Sequence, residues 1–237
     1  MAHHNVSRLI VAESAPPNNG PVLAALTEGA ADLLRFPGLL TIYHEQDPRY
    51  LSLRAQLDRA IETCVRLHEL DEIVVVQSLG DTAHDMMREH LEEKLPSVRF
   101  TPCNFTAQKV AVEEVESWRT TAITCVDYRS PFDHTRRGIM SNVDTHLVCL
   151  PGAVKWFLES GILGRELFNW LLNRKQKVRL FQHEDCGAYG SELHEDELRE
   201  RLEHLHAMRE FVRIATNHGV TVTECGFIRL DGGILTV

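Results

Sequence analysis

Short apolar segments alternate with longer amphipathic segments along the whole chain. Runs such as Ile73-Val-Val-Val-Gln77 and Thr145-His-Leu-Val-Cys149 have almost no polar face, which is typical of strands that are buried on both sides. The longer segments between them repeat apolar residues at helical spacing, with charged residues on the opposite face. The pattern therefore predicts an α/β protein whose mostly parallel β-sheet is flanked by helices.

The positions of these elements suggest that the chain has two comparable halves. The predicted strands are residues 8–12, 39–43, 73–77, 98–102, 122–125, 145–150, 178–182 and 220–228. The predicted helices are near residues 21–35, 49–68, 82–94, 107–117, 153–173 and 195–218. Residues 1–117 form an α/β region without metal ligands, and residues 118–237 form a second region. A decayed internal duplication explains the similarity of the halves, and so does the general likeness of any two α/β segments.

Two short motifs carry the residues with the most informative chemistry. Cys125-Val-Asp127-Tyr-Arg129 and His183-Glu-Asp-Cys186 each follow an apolar run that is predicted to be a strand. Residues at the carboxyl ends of strands meet where open α/β sheets form their sites. Two thiolates and one imidazole are a zinc ligand set, and three protein ligands leave the fourth tetrahedral position open, as in catalytic sites. The sequence therefore predicts a zinc site formed by Cys125, His183 and Cys186.

The two motifs together resemble those of the β-class carbonic anhydrases, which read Cys-x-Asp-Ser-Arg and, further along, His-x-x-Cys-Gly. Here His183 follows Cys125 by 58 positions, which fits that family. The resemblance covers residues 118–237, including a strand and a glycine-containing turn at 145–153 and a closing hairpin at 220–237. It implies a β-carbonic anhydrase-like fold, a Zn²⁺ cofactor, and reversible hydration of CO2 to bicarbonate by zinc-bound hydroxide.

The same resemblance implies that Asp127 and Arg129 are the catalytic residues. Alternate positions on an extended segment project to the same side, so Asp127 can reach the zinc as a fourth ligand or turn away and pair with Arg129. In the family, the paired form is active and ligation of zinc by the aspartate closes the site. This chain departs from the family at Tyr128, where a serine is usual, and at Leu150-Pro-Gly-Ala153, where the family has Arg-Asn-Ala-Gly.

Three functions are compatible with these motifs, because fold resemblance alone does not fix function. The first is a zinc lyase that hydrates CO2. The second is a zinc enzyme that hydrolyses a CO2 analogue, carbonyl sulfide or carbon disulfide. The third is a non-catalytic carbonic anhydrase-like zinc protein with a binding or regulatory role, which permanent ligation by Asp127 favours. His134 and His146 are candidates for a proton shuttle by residue type alone.

Composition argues against several classes of partner and compartment. The formal net charge of −9 argues against nucleic acid, which requires a basic face, and no apolar run approaches a membrane span. The amino terminus lacks a signal-peptide pattern. Cysteine usage and zinc thiolates fit a reducing compartment and predict a cytoplasmic protein. The expected partner is a small-molecule substrate, CO2 or bicarbonate or an analogue. Because the family pairs as dimers, the resemblance also implies a homo-oligomer or an internal pseudo-dimer.

Overall fold

A nine-stranded sheet organises the part of the chain that the computed structural model describes, namely residues 6–13, 31–78, 82–105, 119–127, 145–159, 161–189 and 196–237. Its strands are β1 (Arg8–Glu13), β2 (Ala31–Phe36), β3 (Glu72–Ser78), β4 (Arg99–Phe105), β5 (Thr120–Thr124), β6 (Thr145–Cys149), β7 (Lys177–His183), β8 (Thr221–Ile228) and β9 (Ile234–Thr236). The described helices are α1 (Leu39–His44), α2 (Pro48–His68), α3 (Thr82–Lys94), α4 (Val154–Glu159), α5 (Gly161–Asn173) and α6 (Glu197–Asn217). None of these helices is both long and apolar enough to cross a membrane.

The strand order gives the two halves of the sheet the same topology. Across the sheet the order is β4-β3-β1-β2-β6-β5-β7-β8-β9. Neighbouring strands are parallel except at two places, where β2 meets β6 and where β8 meets β9. Outward from the β2–β6 junction, the first half has the order β2, β1, β3, β4 and the second half has the order β6, β5, β7, β8. Both halves therefore place their second strand first, followed by their first, third and fourth strands. The mostly parallel sheet with flanking helices is therefore confirmed, and β8 and β9 form the expected closing hairpin.

The sheet has a buried layer of side chains on each face because its central strands are apolar at nearly every position. Along β1, Leu9 and Val11 join one cluster while Ile10 and Ala12 join another, as the alternation of a strand requires. All six described helices contribute buried side chains to the larger cluster. Each fully buried aliphatic side chain contributes about 1.5–3 kcal/mol to folding, so these clusters fix how the strand ends are arranged.

The two longest described helices begin and end at residues suited to those positions. The Asp47 side chain caps α2 by accepting a hydrogen bond from the backbone N–H of Arg49 at 2.8 Å. Asp196 caps α6 in the same way through Arg199 at 3.0 Å. α2 ends at Glu69, whose left-handed φ of 51° stops the helix. This stop matters because the last turns of α2 lie over the carboxyl end of β5.

Two of the predicted elements near residue 40 are wrong. The strand predicted at 39–43 is the helix α1, and β2 lies where the end of the 21–35 helix was predicted. The alanine, leucines and arginine of β2 are good helix formers, but every residue of this segment is buried between two strands, and tertiary packing overrides propensity. The predicted helix at 153–173 corresponds to the two helices α4 and α5. The helix predicted at 107–117 and residues 21–30 lie outside the described residues.

Gly164 on α5 tests the packing of this helix against the preceding one. A Cβ at this position would lie 2.5 Å from the backbone oxygen of Phe157, whereas a Cβ at Gly161 would meet nothing within 4 Å. We expect Gly164→Ala to lower the free energy of unfolding by about 1–3 kcal/mol, because a backbone atom cannot move aside easily. Gly161→Ala is the matched control and should change it by less than about 1 kcal/mol. Chemical denaturation measures both, and equal effects would contradict the packing.

Candidate metal centre

The three predicted ligands lie at the ends of two neighbouring strands. Cys125 directly follows β5, His183 is the last residue of β7, and Cys186 precedes a short 3-10 turn over Gly187–Tyr189. β5 and β7 pair in parallel, and the strands that follow them along the chain lie on opposite sides, β6 beyond β5 and β8 beyond β7. At such a switch point the connections diverge and leave a crevice in which open α/β sheets bind ligands.

The ligand atoms of these residues converge in a buried group. Sγ of Cys125 lies 3.7 Å from Sγ of Cys186, and with the His183 imidazole the three ligand atoms lie within 4.8 Å of one another. Two sulfurs at about 2.3 Å from a tetrahedral ion are themselves about 3.8 Å apart, so the sulfurs already have the spacing that a shared ion requires. Both thiols are free. The residues predicted from the motifs therefore form a Cys–His–Cys group that can bind a metal ion.

The imidazole of His183 is oriented by the residue that follows it. Nδ1 donates a hydrogen bond to the backbone oxygen of Glu184 at 2.7 Å, which makes Nε2 the ring nitrogen suited to metal ligation. The Glu184 carboxylate in turn accepts a hydrogen bond from the N–H of Leu230 at 2.7 Å and one from Arg201 at 3.4 Å. The loop after β7 is thus tied to the loop between β8 and β9 and to α6.

Backbone and carboxylate contacts hold the two cysteines in place. Gly152 donates its N–H to Sγ of Cys125 at 3.2 Å from a turn in which it has a φ of 63°, a conformation that favours glycine. The N–H of Cys186 donates to Oε1 of Glu200 on α6 at 2.9 Å. Outer contacts of this kind fix the orientation of metal ligands and are themselves important for affinity.

The two thiols differ in acidity. Burial by itself raises the pKa of Cys125, but the hydrogen bond with Cys186 and the charge of His183 outweigh it and hold that pKa well below its usual value. The same hydrogen bond, together with burial, raises the pKa of Cys186 well above its usual value. Cys125 is therefore the more acidic of the two thiols, and a metal ion must displace the proton of Cys186.

Of the two predicted catalytic residues, one is placed beside the ligand group. Asp127 is buried, with 2% exposure, and its Oδ2 lies 3.9 Å from Nε2 of His183. Asp127 is not part of the group of three whose ligand atoms lie within 4.8 Å of one another. Arg129 lies outside the described residues, so its pairing with Asp127 stays a prediction.

A narrow cleft beside the ligands is lined by residues from both halves of the chain. The space within the cleft that the centre of a water molecule can reach is about 10 Å³. The cleft therefore has room for about one water molecule. The second half contributes Cys125, Val126, Asp127, Pro151, Cys186, Gly187 and Ala188. The first half contributes Cys64, Leu67 and His68 from the last turns of α2. No motif in the sequence marked these three residues, because only the assembled sheet brings α2 to this place.

The first half has a matching turn that serves a different group. Pro37-Gly38 follows β2 as Pro151-Gly152 follows β6, and Gly38 also has a positive φ, 71°. Gly38 donates its N–H to Oε1 of Glu13 at 2.7 Å, as Gly152 does to Cys125. In the described part of the first half, Glu13 thus has the position that Cys125 has in the second.

A larger cavity of about 500 Å³ lies beside Glu13. His146, one of the two residues considered as a proton shuttle, lines this cavity together with Trp170 of α5, whose ring it meets edge-on at 5.0 Å. His146 is therefore not among the residues that line the cleft at the ligand group. His134 lies outside the described residues.

Comparisons with family models, with curated proteins and with solved structures gave no match. The geometry of the Cys–His–Cys group and its surroundings is thus the basis on which a function can be inferred.

Loss of one thiol tests whether the group binds metal. We expect the wild-type chain to bind one equivalent of zinc and Cys125→Ser or Cys186→Ser to lower the affinity by more than the roughly 100-fold that removal of an outer-shell partner costs. Cys225→Ser on β8 is the matched control, because that free thiol is half-buried and lies outside the group. Chelator competition measures the affinities, and equal affinity for all four proteins would contradict a shared ion.

The unequal acidity of the thiols predicts the pH dependence of metal binding. The raised pKa of Cys186 keeps this sulfur protonated in the metal-free protein at neutral pH, so binding releases its proton. Apparent affinity should rise at least about tenfold for each pH unit in the neutral range, because each further proton displaced from a ligand adds another factor of about ten. Chelator competition at several pH values gives the slope, and an affinity that does not depend on pH would show that both sulfurs are already ionised.

Proposed function

We propose that the protein is a zinc-dependent enzyme of the β-carbonic anhydrase type that reversibly hydrates CO2 to bicarbonate. The observation that carries the proposal is the buried convergence of Cys125, His183 and Cys186 beside a cleft at the switch point of the sheet. Three protein ligands leave one tetrahedral position for water or substrate, which distinguishes catalytic zinc sites from closed structural ones.

The donor set fits zinc better than the other common ions. Zinc prefers thiolate and imidazole ligands, whereas magnesium and calcium prefer oxygen. Two thiolates cancel the charge of a divalent ion, and an uncharged centre suits a site whose three ligands are each at most 3% exposed. The sulfur spacing of 3.7 Å supports the same assignment.

The residues around the group have separate roles in this proposal. A zinc ion held there supplies the Lewis acidity that activates water for attack on an electrophilic carbon. The Asp127 carboxylate, 3.9 Å from the His183 imidazole, is placed to accept a hydrogen bond from a water molecule in the cleft and so to orient it. The backbone groups of Gly152 and Glu184 keep the ligands Cys125 and His183 fixed.

The shape of the cleft supports a very small substrate. Beside the ligands its walls are largely apolar, formed by Leu67, Val126, Pro151 and Ala188. A volume of about 10 Å³ for the centre of a water molecule leaves no room for an extended organic substrate. CO2 is small, linear and apolar, so it would need little widening of this cleft, and its analogues carbonyl sulfide and carbon disulfide would need more.

The position of Asp127 favours a second candidate, a metal protein without catalytic activity. A buried carboxylate this close to His183 can take the fourth position itself, which would close the centre to substrate. Binding or regulation would then be the function, with the metal serving to hold the two strand ends together.

Asp127→Asn distinguishes the two candidates. In the enzyme, the variant keeps its zinc and loses about 100-fold or more in kcat/KM for CO2 hydration, because the amide orients water poorly. In the closed protein, the variant loses metal affinity because one ligand is gone. Stopped-flow hydration and metal content measure these outcomes at the same pH.

The control for this experiment is Asp231→Asn in the exposed loop between β8 and β9, which should match the wild type in both measurements. A wild-type protein that carries one equivalent of zinc and hydrates CO2 no faster than buffer would contradict the enzymatic proposal. Assays with carbonyl sulfide and carbon disulfide then decide between the analogue and the non-catalytic protein.

A further inference from the structure

The first half of the chain supplies a polar residue to the cleft beside the metal ligands. The last residue of α2, His68, lines the same cleft as Cys125 and Cys186. His68 lies far from the motifs in sequence, and no feature of its neighbourhood in the chain distinguishes it. The sheet junction between β2 and β6 is what brings α2 to the metal group.

A buried carboxylate fixes the imidazole of His68. Its Nδ1 bonds to Oδ2 of Asp32 on β2, whose side chain is fully buried while that of His68 is 8% exposed. Burial by itself lowers the pKa of His68, but the bond to Asp32 and the charges of Asp32, Asp127 and Cys125 outweigh it and raise that pKa. With Nδ1 engaged by Asp32, the ring has a set orientation, and Nε2 is the atom through which it can donate a hydrogen bond to another group.

The pair is not a general requirement of this fold, because the second half does without it. Both helices end with the same bond, from Leu70 N to Val65 O after α2 and from Gln176 N to Leu171 O after α5. His68 lies two residues before Leu70, the donor of this bond in the first half. The residue two positions before the donor Gln176 in the second half is Arg174. Strand register likewise places His146 where the first half has Asp32.

Burial of an ionisable pair is also a poor way to stabilise a fold. The free energy needed to remove two charged groups from water is about as large as the free energy gained from their attraction. Apolar residues of similar volume often stabilise a fold equally well or better. Ionisable groups with shifted pKa values in a cleft are therefore candidates for a functional role. Since Asp32 and His68 lie beside the metal ligands, their role concerns what enters that cleft.

The other cleft residues show what that role is. Apart from the metal ligands and Asp127, the described lining consists of apolar side chains, a glycine, the thiol of Cys64 and the imidazole of His68. A thiol is a weak donor, so among these described residues His68 has the one strong side-chain donor. An anion entering the cleft also meets the negative charge of Asp127, which a hydrogen bond from His68 would offset.

We propose that His68, held by Asp32, binds the small anion or oxyanion that occupies the open coordination position of the metal centre. The inference rests on the proposed metal-binding function and adds to it a residue of the first half. It makes the cleft a composite of both halves, with Cys125 and Cys186 from the second half and the anion donor from the first. The class of ligand is a small monovalent anion, such as bicarbonate or azide, that places one atom in the space of about 10 Å³ that holds one water.

Cobalt replacing zinc gives a readout that does not depend on catalysis. Visible absorption of the cobalt protein follows azide or bicarbonate as each enters the open position. We expect His68→Leu to keep one equivalent of cobalt and to weaken anion binding about tenfold or more, as loss of a charge-assisted hydrogen bond implies. His68→Gln keeps an N–H donor of similar reach and should weaken binding by less than about threefold.

Two further variants separate this role from folding and from nonspecific effects. Asp32→Leu combined with His68→Leu removes both polar partners, so it folds even if a lone Asp32 is destabilising, and it should bind anions as weakly as His68→Leu. His90→Leu is the matched control, since His90 pairs with the buried Asp58 at 3.0 Å but does not line this cleft. It should bind anions as the wild type does.

The outcomes separate this inference from the proposed enzymatic function. Unchanged anion affinity in His68→Leu and in the double variant overturns the role of His68, even if the wild type hydrates CO2. Loss of cobalt in both of these variants overturns it too, because His68 would then support the metal ligands. Anion binding that depends on His68 in a protein that does not hydrate CO2 supports the inference and contradicts the enzymatic proposal.

Discussion

The backbone pairing between β2 and β6 is the interaction on which the centre depends. It joins the two halves at Arg35 and Cys149 in the antiparallel direction, and a further bond from the N–H of Leu33 to the oxygen of Val126 at 3.0 Å ties β2 to the segment that follows Cys125. Two strands that would each be the edge of a separate sheet satisfy each other's hydrogen bonds there. As a result, a helix from one half lies over ligands from the other.

The charge of the centre explains why a metal suits it. Buried acidic groups meet at one place, namely Asp32, Asp127 and the thiols of Cys125 and Cys186. A divalent cation bound there would offset the negative charge that the thiols acquire when they lose their protons. Part of the free energy of metal binding is therefore expected to appear as stability of the fold.

Local patterns predicted the ligands but could not predict the cleft. Cys125, His183 and Cys186 follow apolar runs, and parallel strands must bring their carboxyl ends to one edge, so sequence alone was enough. The prediction for residues 31–44 was wrong because burial on both sides of the sheet, rather than helix propensity, makes β2 a strand. No sequence motif pointed to His68, because it lines the cleft only after the two halves pair.

Glu13 and Cys125, each held by the N–H of a Pro–Gly turn, have a consequence for how such a protein can change over time. An assembly of two identical subunits must build every pocket twice, and any substitution alters both. Here the two corresponding places are encoded by different codons. A carboxylate can replace a sulfur in one pocket while the other keeps its ligand. Because both pockets belong to one chain, each can acquire its own residues and its own function.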